Sequence, residues 1–125
     1  MELDILTLLQ DSFVVQKVEK PRLAGSGELV FQPDFPGFAG HFPGQPVLPA
    51  VLQMATVRVL AMAIAERRLT PIETGKLKFS GMILPLETVH LQVQMERDEH
   101  RWSTGFKFFR DGKPLARGTL IFVEE

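Results

Sequence analysis

His41 sits in the run Gly37-Phe38-Ala39-Gly40-His41-Phe42-Pro43-Gly44-Gln45-Pro46, which leads through Pro49 into a long apolar segment. Histidine is the side chain whose ordinary pKa lets it take and return a proton near neutral pH, so a well-aimed His41 suits general acid–base work. The run around it is built for aiming. Pro33, Pro36, Pro43, Pro46 and Pro49 each fix φ, leaving a stiff loop with little entropy to lose.

Other site chemistries find little support. The chain has 3 His and 0 Cys, which removes disulfides, thiolate metal sites and a cysteine nucleophile, and the histidines are too dispersed for a metal centre. There is no phosphate loop, dinucleotide fingerprint or serine elbow. Lys+Arg 14 against Asp+Glu 15 gives a net charge of -1, so neither nucleic acid nor an anionic membrane is expected as a partner. The 125 residues suffice for one domain with a real core, spanning 1–125. The N-terminal Met1-Glu2-Leu3-Asp4 lacks the basic start of an export signal, and the absence of Cys fits a reducing compartment, so a cytoplasmic location is expected.

The elements that must position His41 follow from periodicity. Residues 3–9 suit a short amphipathic helix, Phe13 to Val18 a strand, and Glu28 to Gln32 a second strand ended by Pro33. Residues 33–49 read as loop. Ala50 to Glu66 reads as a buried helix, apolar nearly all round and stopped by Thr70-Pro71. Leu77 and Phe79 then alternate, as do Val89, Leu91, Val93 and Met95 with polar neighbours. Two further strands, in Trp102 to Phe109 and Leu115 to Val123, are joined through Asp111-Gly112, a hairpin signal. The expected class is α+β: a curved antiparallel sheet around one central helix.

Gly40, His41, Phe42, Pro43, Pro46 and Pro49 match the signature of the β-hydroxyacyl-acyl-carrier-protein dehydratases. The chain resembles these FabZ/FabA-like hot-dog proteins in element order over most of its length. The run from His41 to Pro49, followed by Val51-Leu52-Gln53, is most similar to the ApeI-like branch associated with aryl polyene assembly.

The resemblance implies a hot-dog fold and removal of water from a 3-hydroxyacyl thioester. His41 takes the role of catalytic base, and the amide of Ala50, with Val51 beside it, receives the thioester oxygen. A helix start carries unpaired N–H groups and positive dipole where an enolate oxygen gains charge, and one such donor is worth about 3 to 4 kcal/mol. Phe38, Phe42, Pro49 and Met54 are candidate substrate-lining residues, although core packing explains the phenylalanines and methionines as readily. The implied carrier is a phosphopantetheine arm on acyl carrier protein or coenzyme A, with no separate cofactor. The resemblance also implies a homodimer, or a heterodimer with a dehydratase-like paralogue.

Two departures qualify the likeness. Ala50 stands where the family usually has Gly, which keeps the N–H but narrows the approach. Ala55 stands where the family has its catalytic Asp or Glu, fourteen positions after the histidine, and it can donate no proton. That loss is worth about a hundred to ten thousand fold. Gln53 and Thr56 are the nearest substitutes on the helix, Asp34 is equally a turn residue, and Glu66 lies about 16 Å along the helix from Ala55. A binding subunit without turnover, and a thioesterase, are therefore alternatives to the dehydratase. Val51 stands where an isomerising branch has Cys, favouring the plain dehydratase type. His90 and His100 read as solvated, and Arg58, Arg67, Arg68, Lys76 and Lys78 either meet an acidic carrier or form a solvated face.

Overall fold

The computed structural model describes residues 4–38 and 47–125. In chain order it contains α1 (Ile5–Asp11), β1 (Phe13–Glu19), a 3-10 turn (Lys20–Arg22), β2 (Ala24–Leu29) and a second 3-10 turn (Pro36–Phe38). There follow α2 (Ala50–Ala65), β3 (Leu69–Phe79), β4 (Val89–Asp98), β5 (Arg101–Arg110) and β6 (Lys113–Glu124). The strands form one sheet ordered β1-β2-β4-β5-β6-β3, antiparallel at every pairing. The arrangement is the hot-dog fold.

The central helix runs close to its expected length. Pro49 supplies the extended entry at φ -64 and ψ 153, and Glu66 ends the helix in the left-handed region at φ 55. Gln53, Thr56, Val57, Leu60, Ala61 and Ile64 recur at helical spacing and are buried. The opposite side is less enclosed than its composition suggests. Met54, Ala55, Arg58 and Met62 are half-buried, and Val51 is 65% exposed.

The sheet turns one face to this helix. Val89, Leu91, Val93 and Met95 on β4, and Trp102, Thr104, Phe106 and Phe108 on β5, point inward, while their alternate neighbours point away. The β5–β6 hairpin forms at the expected turn, with Asp111 at φ 50 and Gly112 at φ 76, the two positive values that a tight hairpin needs.

Three boundaries differ from the sequence reading. The first helix starts at Ile5 because Asp4 caps it, its carboxylate accepting from the Leu6 N–H at 3.0 Å. The second strand is Ala24–Leu29, not Glu28 to Gln32. Its glycines depress strand propensity but are demanded by packing: a Cβ on Gly25 would lie 2.9 Å from Ile64 Cδ1, and one on Gly27 2.4 Å from the Phe13 ring. The third strand begins at Leu69, straight after the helix, and contains Pro71. It tolerates the proline because β3 is an edge strand and its register shifts between Pro71 and Glu73.

Glu124 fastens the far end of the sheet. Its carboxylate accepts from Trp102 Nε1 at 3.0 Å and meets Arg97 at 2.8 Å and His100 at 3.2 Å. The Arg97 guanidinium lies 5.1 Å from the Trp102 ring centroid. The Trp102 and His100 hydrogen bonds, then Arg67 and Arg97, hold the Glu124 pKa below its ordinary value. His100 is exposed at the surface, and His90 stacks on Phe109 at 5.8 Å, also on the sheet face away from α2. No helix of the described residues is long and apolar enough to cross a membrane.

Candidate active site

Leu48 sets the direction from which the chain enters α2. It is buried, its N–H donates to the Ile83 carbonyl at 2.9 Å, and its own carbonyl accepts from Gln53 Nε2 at 3.1 Å. The entry is thus tied both to the segment before β4 and to the helix itself. Pro49 follows, and its carbonyl accepts from Leu52 and Gln53 N–H at 3.0 and 3.1 Å.

That bonding leaves the N–H groups of Ala50 and Val51 without an acceptor among the described residues, because Pro49 has no side chain able to cap them. Two donors and the positive end of a 16-residue helix therefore meet at one place. An oxygen atom bearing negative charge is the chemical species this end of the helix suits.

The chain before His41 reaches the same place. A Cβ on Gly37 would lie 2.3 Å from Leu52 Cδ1 and 2.6 Å from the Phe35 ring, so the glycine lets the Pro36–Phe38 turn pack closely against the first turn of α2. Phe38 is 6% exposed and meets Phe31 and Phe35 edge to face, at ring separations of 6.4 and 5.9 Å. Phe38 is therefore a core residue in this chain. The described residues on either side of His41 both lie beside the start of α2. His41 itself, with Phe42, Pro43 and Pro46, lies outside the described residues.

The residues that could stand in for an acid at position 55 separate clearly. Ala55 is half-buried and offers no polar atom. Thr56 Oγ1 donates to the Leu52 carbonyl at 2.8 Å, a bond within its own helix that occupies its proton. Gln53 is 3% exposed, and its Oε1 is buried with no partner among the described residues. A buried acceptor left open is unusual and suits a bound hydroxyl or water. Asp34 is exposed in the turn after Pro33, and Glu66 pairs with Lys20 at the other end of the helix. Neither approaches the start of α2 through any described contact.

The five basic residues considered as a carrier-facing group also divide. Arg58 and Arg68 pair with Glu125 at 3.2 and 3.4 Å, and Arg67 pairs with Glu124 at 3.5 Å. Lys76 and Lys78 stand on β3 without an ion pair among the described residues. The roles of Leu48 and Ile83 in fixing the helix entry were not visible in the sequence, where both read as ordinary apolar residues.

A family model described as ApeI-like, ApeI dehydratase, matches residues 17–119. Among curated relatives, the 3-hydroxyacyl-acyl-carrier-protein dehydratase FabZ of Herpetosiphon aurantiacus is 32% identical over 98 residues, covering 70% of this chain and 68% of that protein. The FabZ of Chloroflexus aggregans is 34% identical over 88 residues, and the alignment covers 62% of this chain and 59% of the relative.

Solved structures agree on the fold. The dehydratase heterocomplex ApeI:P from Xenorhabdus doucetiae is similar with a TM-score of 0.73 at 21% identity, covering 90% of this chain and 96% of that one. An uncharacterized protein from Erwinia carotovora has a TM-score of 0.70 at 25% identity, with 90% and 94% covered. Cj0977, a sigma28-regulated virulence protein from Campylobacter jejuni, has a TM-score of 0.74 at 15% identity, with 99% and 88% covered.

Proposed function

The chain belongs to the ApeI-like dehydratase family, and from that premise we propose that it removes water from a 3-hydroxyacyl thioester carried on phosphopantetheine. The observation that carries the proposal is the pair of N–H groups at Ala50 and Val51 without an acceptor among the described residues, nine and ten positions after His41 in the sequence. His41 takes the proton from the carbon next to the thioester carbonyl. The electron pair moves onto the thioester oxygen, which those amides receive. It then returns to form the carbon–carbon double bond as the β-hydroxyl departs with a proton as water. Phe42, Pro49 and Met54 border the acyl chain in this reading, while Phe38 packs in the core.

The proton for the departing hydroxyl is the step this chain does not supply by itself, since Ala55 occupies the acid's position. We assign it to a carboxylate of a dehydratase-like partner. Two observations support a partner. The stripe Val51, Ala55, Arg58 and Met62 on α2 is less covered than the opposite side, and β3 is an edge strand with Ile72 and Phe79 exposed. The Xenorhabdus neighbour is itself described as a heterocomplex. A second copy of the chain covers the same surfaces but brings no carboxylate at position 55.

Ala55 favours one further reading, in which the chain holds the acyl thioester or its carrier protein without turning it over. Thioester hydrolysis is less well supported, because the helix offers no carboxylate to activate water. The test is conversion between 3-hydroxyacyl and enoyl carrier protein, followed by mass spectrometry, for the chain and His41→Ala, each alone and co-purified with a partner from its own cells. Turnover that needs His41 supports the dehydratase. Acyl-carrier binding without turnover, unchanged by His41→Ala, replaces it with the binding subunit.

A further inference from the structure

The sheet face turned away from α2 carries a groove of about 740 Å³ walled by Lys17, Lys76, Lys78, Lys107 and Arg117. None of the five has an ion pair among the described residues. Every other described lysine and arginine except Lys113 has one. In a chain of net charge -1, the uncompensated positive charge is therefore gathered in one hollow. Glu19 also lines it and is the one carboxylate there, itself 4.0 Å from Arg22.

Strand register explains the gathering. Lys17 lies opposite Ser26, Ser26 opposite Gln92, Gln92 opposite Lys107, Lys107 opposite Arg117, and Arg117 opposite Lys78. One line thus crosses all six strands, and its last three members are cations on adjacent strands, about 4.8 Å apart. Like charges directly opposite one another oppose folding. A sheet carrying three in a row with no carboxylate between them gains nothing from the arrangement unless an anion sits over it.

The neighbouring line is almost bare. Ala24 lies opposite Gln94, Gln94 opposite Gly105, and Gly105 opposite Thr119. A Cβ on Gly105 would meet only the Gln94 carbonyl, at 3.8 Å, so packing does not require this glycine. Its effect is to keep the groove floor open. Lys76 adds a fifth cation from a bulge between Gly75 and Lys78, where its backbone takes φ 50, a conformation that lysine rarely adopts.

We propose that this groove binds a small ligand bearing two or more linked phosphates. The cations converge on a hollow of small-molecule size rather than spreading over a flat face, and ammonium groups beside an open floor suit linked, closely spaced negative charges. The same repulsion prevents two copies from packing these faces together. The site lies on the face opposite α2 and stands independently of the dehydratase reading.

The test is calorimetric titration of the purified chain at low salt with tripolyphosphate, ATP, inorganic phosphate and a polyglutamate peptide. Tripolyphosphate and ATP are expected to bind with one-to-one stoichiometry and inorganic phosphate at least tenfold more weakly. A difference between the first two reports whether a nucleoside base adds contacts. The double variant Lys107→Gln/Arg117→Gln should lose at least tenfold in affinity while melting no lower than the parent, since it relieves repulsion. Gly105→Leu should lose as much with every charge in place, and Lys113→Gln should bind as the parent does. No oligophosphate binding, binding indifferent to Gly105→Leu, or preferential binding of polyglutamate would each overturn the proposal.

Discussion

Gln53 and Leu48 are locked together at the start of the central helix: Gln53 Nε2 donates to the Leu48 carbonyl at 3.1 Å, while Gln53 Oε1 stays buried and unpartnered among the described residues. The bond holds the chain on its way into α2 and so fixes where the Ala50 and Val51 amides point. Gln53→Leu removes the unsatisfied oxygen but leaves the carbonyl of buried Leu48 without its side-chain donor, so stability should fall by about 1 to 3 kcal/mol. Misdirected amides should lower turnover of the thioester by up to about a hundredfold. Comparing melting temperature with steady-state rate separates the two effects.

Ala55→Glu places a carboxylate where the acid is absent. The side chain is half-buried beside the less covered stripe of α2, so a longer residue has an outlet. Dehydration by the isolated chain should rise at least tenfold, toward the roughly hundred to ten thousand fold that a positioned acid supplies. A rate unchanged by the substitution would mean that more than the acid is missing.

Glu124 makes the sheet's closure acid-sensitive. Its pKa is lowered in the fold, first by the Trp102 hydrogen bond and then by His100. A lowered carboxylate pKa contributes stability that is present above the unfolded value and lost as pH falls through the folded one. Urea unfolding of the parent should therefore weaken with acid below the ordinary carboxylate range. Glu124→Gln should start less stable at neutral pH and show a shallower acid dependence over the same interval.

Gly25 allows β2 and α2 to approach. With a Cβ there 2.9 Å from Ile64 Cδ1 and 3.0 Å from the Lys17 carbonyl oxygen, Gly25→Val should cost about 1 to 3 kcal/mol in denaturant unfolding. Gly105→Val, on the open face of β5, should cost less than half as much.

Strand β4 was legible in the sequence because it alternates between a face on the helix and a face in solvent, and β5 and β6 because the Asp111-Gly112 hairpin joins them. The helix was legible from its length, its Pro49 entry and its apolar content. Strand β2 was hidden by Gly25 and Gly27, whose presence reflects the approach of Ile64 and Phe13 from distant positions. Pro71 concealed the start of β3, since tolerance of a proline there depends on the strand's place at the sheet edge. At the site, the motif around His41 and the helix start at Ala50 could be found from local sequence. The clamp of Leu48 by Ile83 and Gln53 could not, and neither could the line from Lys17 to Lys78, because both depend on which residues the topology brings together.

The central claim is that His41 abstracts the proton, and the Ala50 and Val51 amides receive the charge that forms on the thioester oxygen, even though position 55 carries alanine. Proton abstraction alone needs no such acid, so it can be isolated as exchange at the carbon next to the carbonyl. We would incubate a 3-hydroxyacyl thioester with the purified chain in deuterium oxide and follow the label by mass spectrometry, beside His41→Ala. Deuterium entering the substrate with the parent and not with His41→Ala is the predicted result. Exchange no faster with the parent than with the variant would contradict the account and leave a protein that binds the thioester without acting on it.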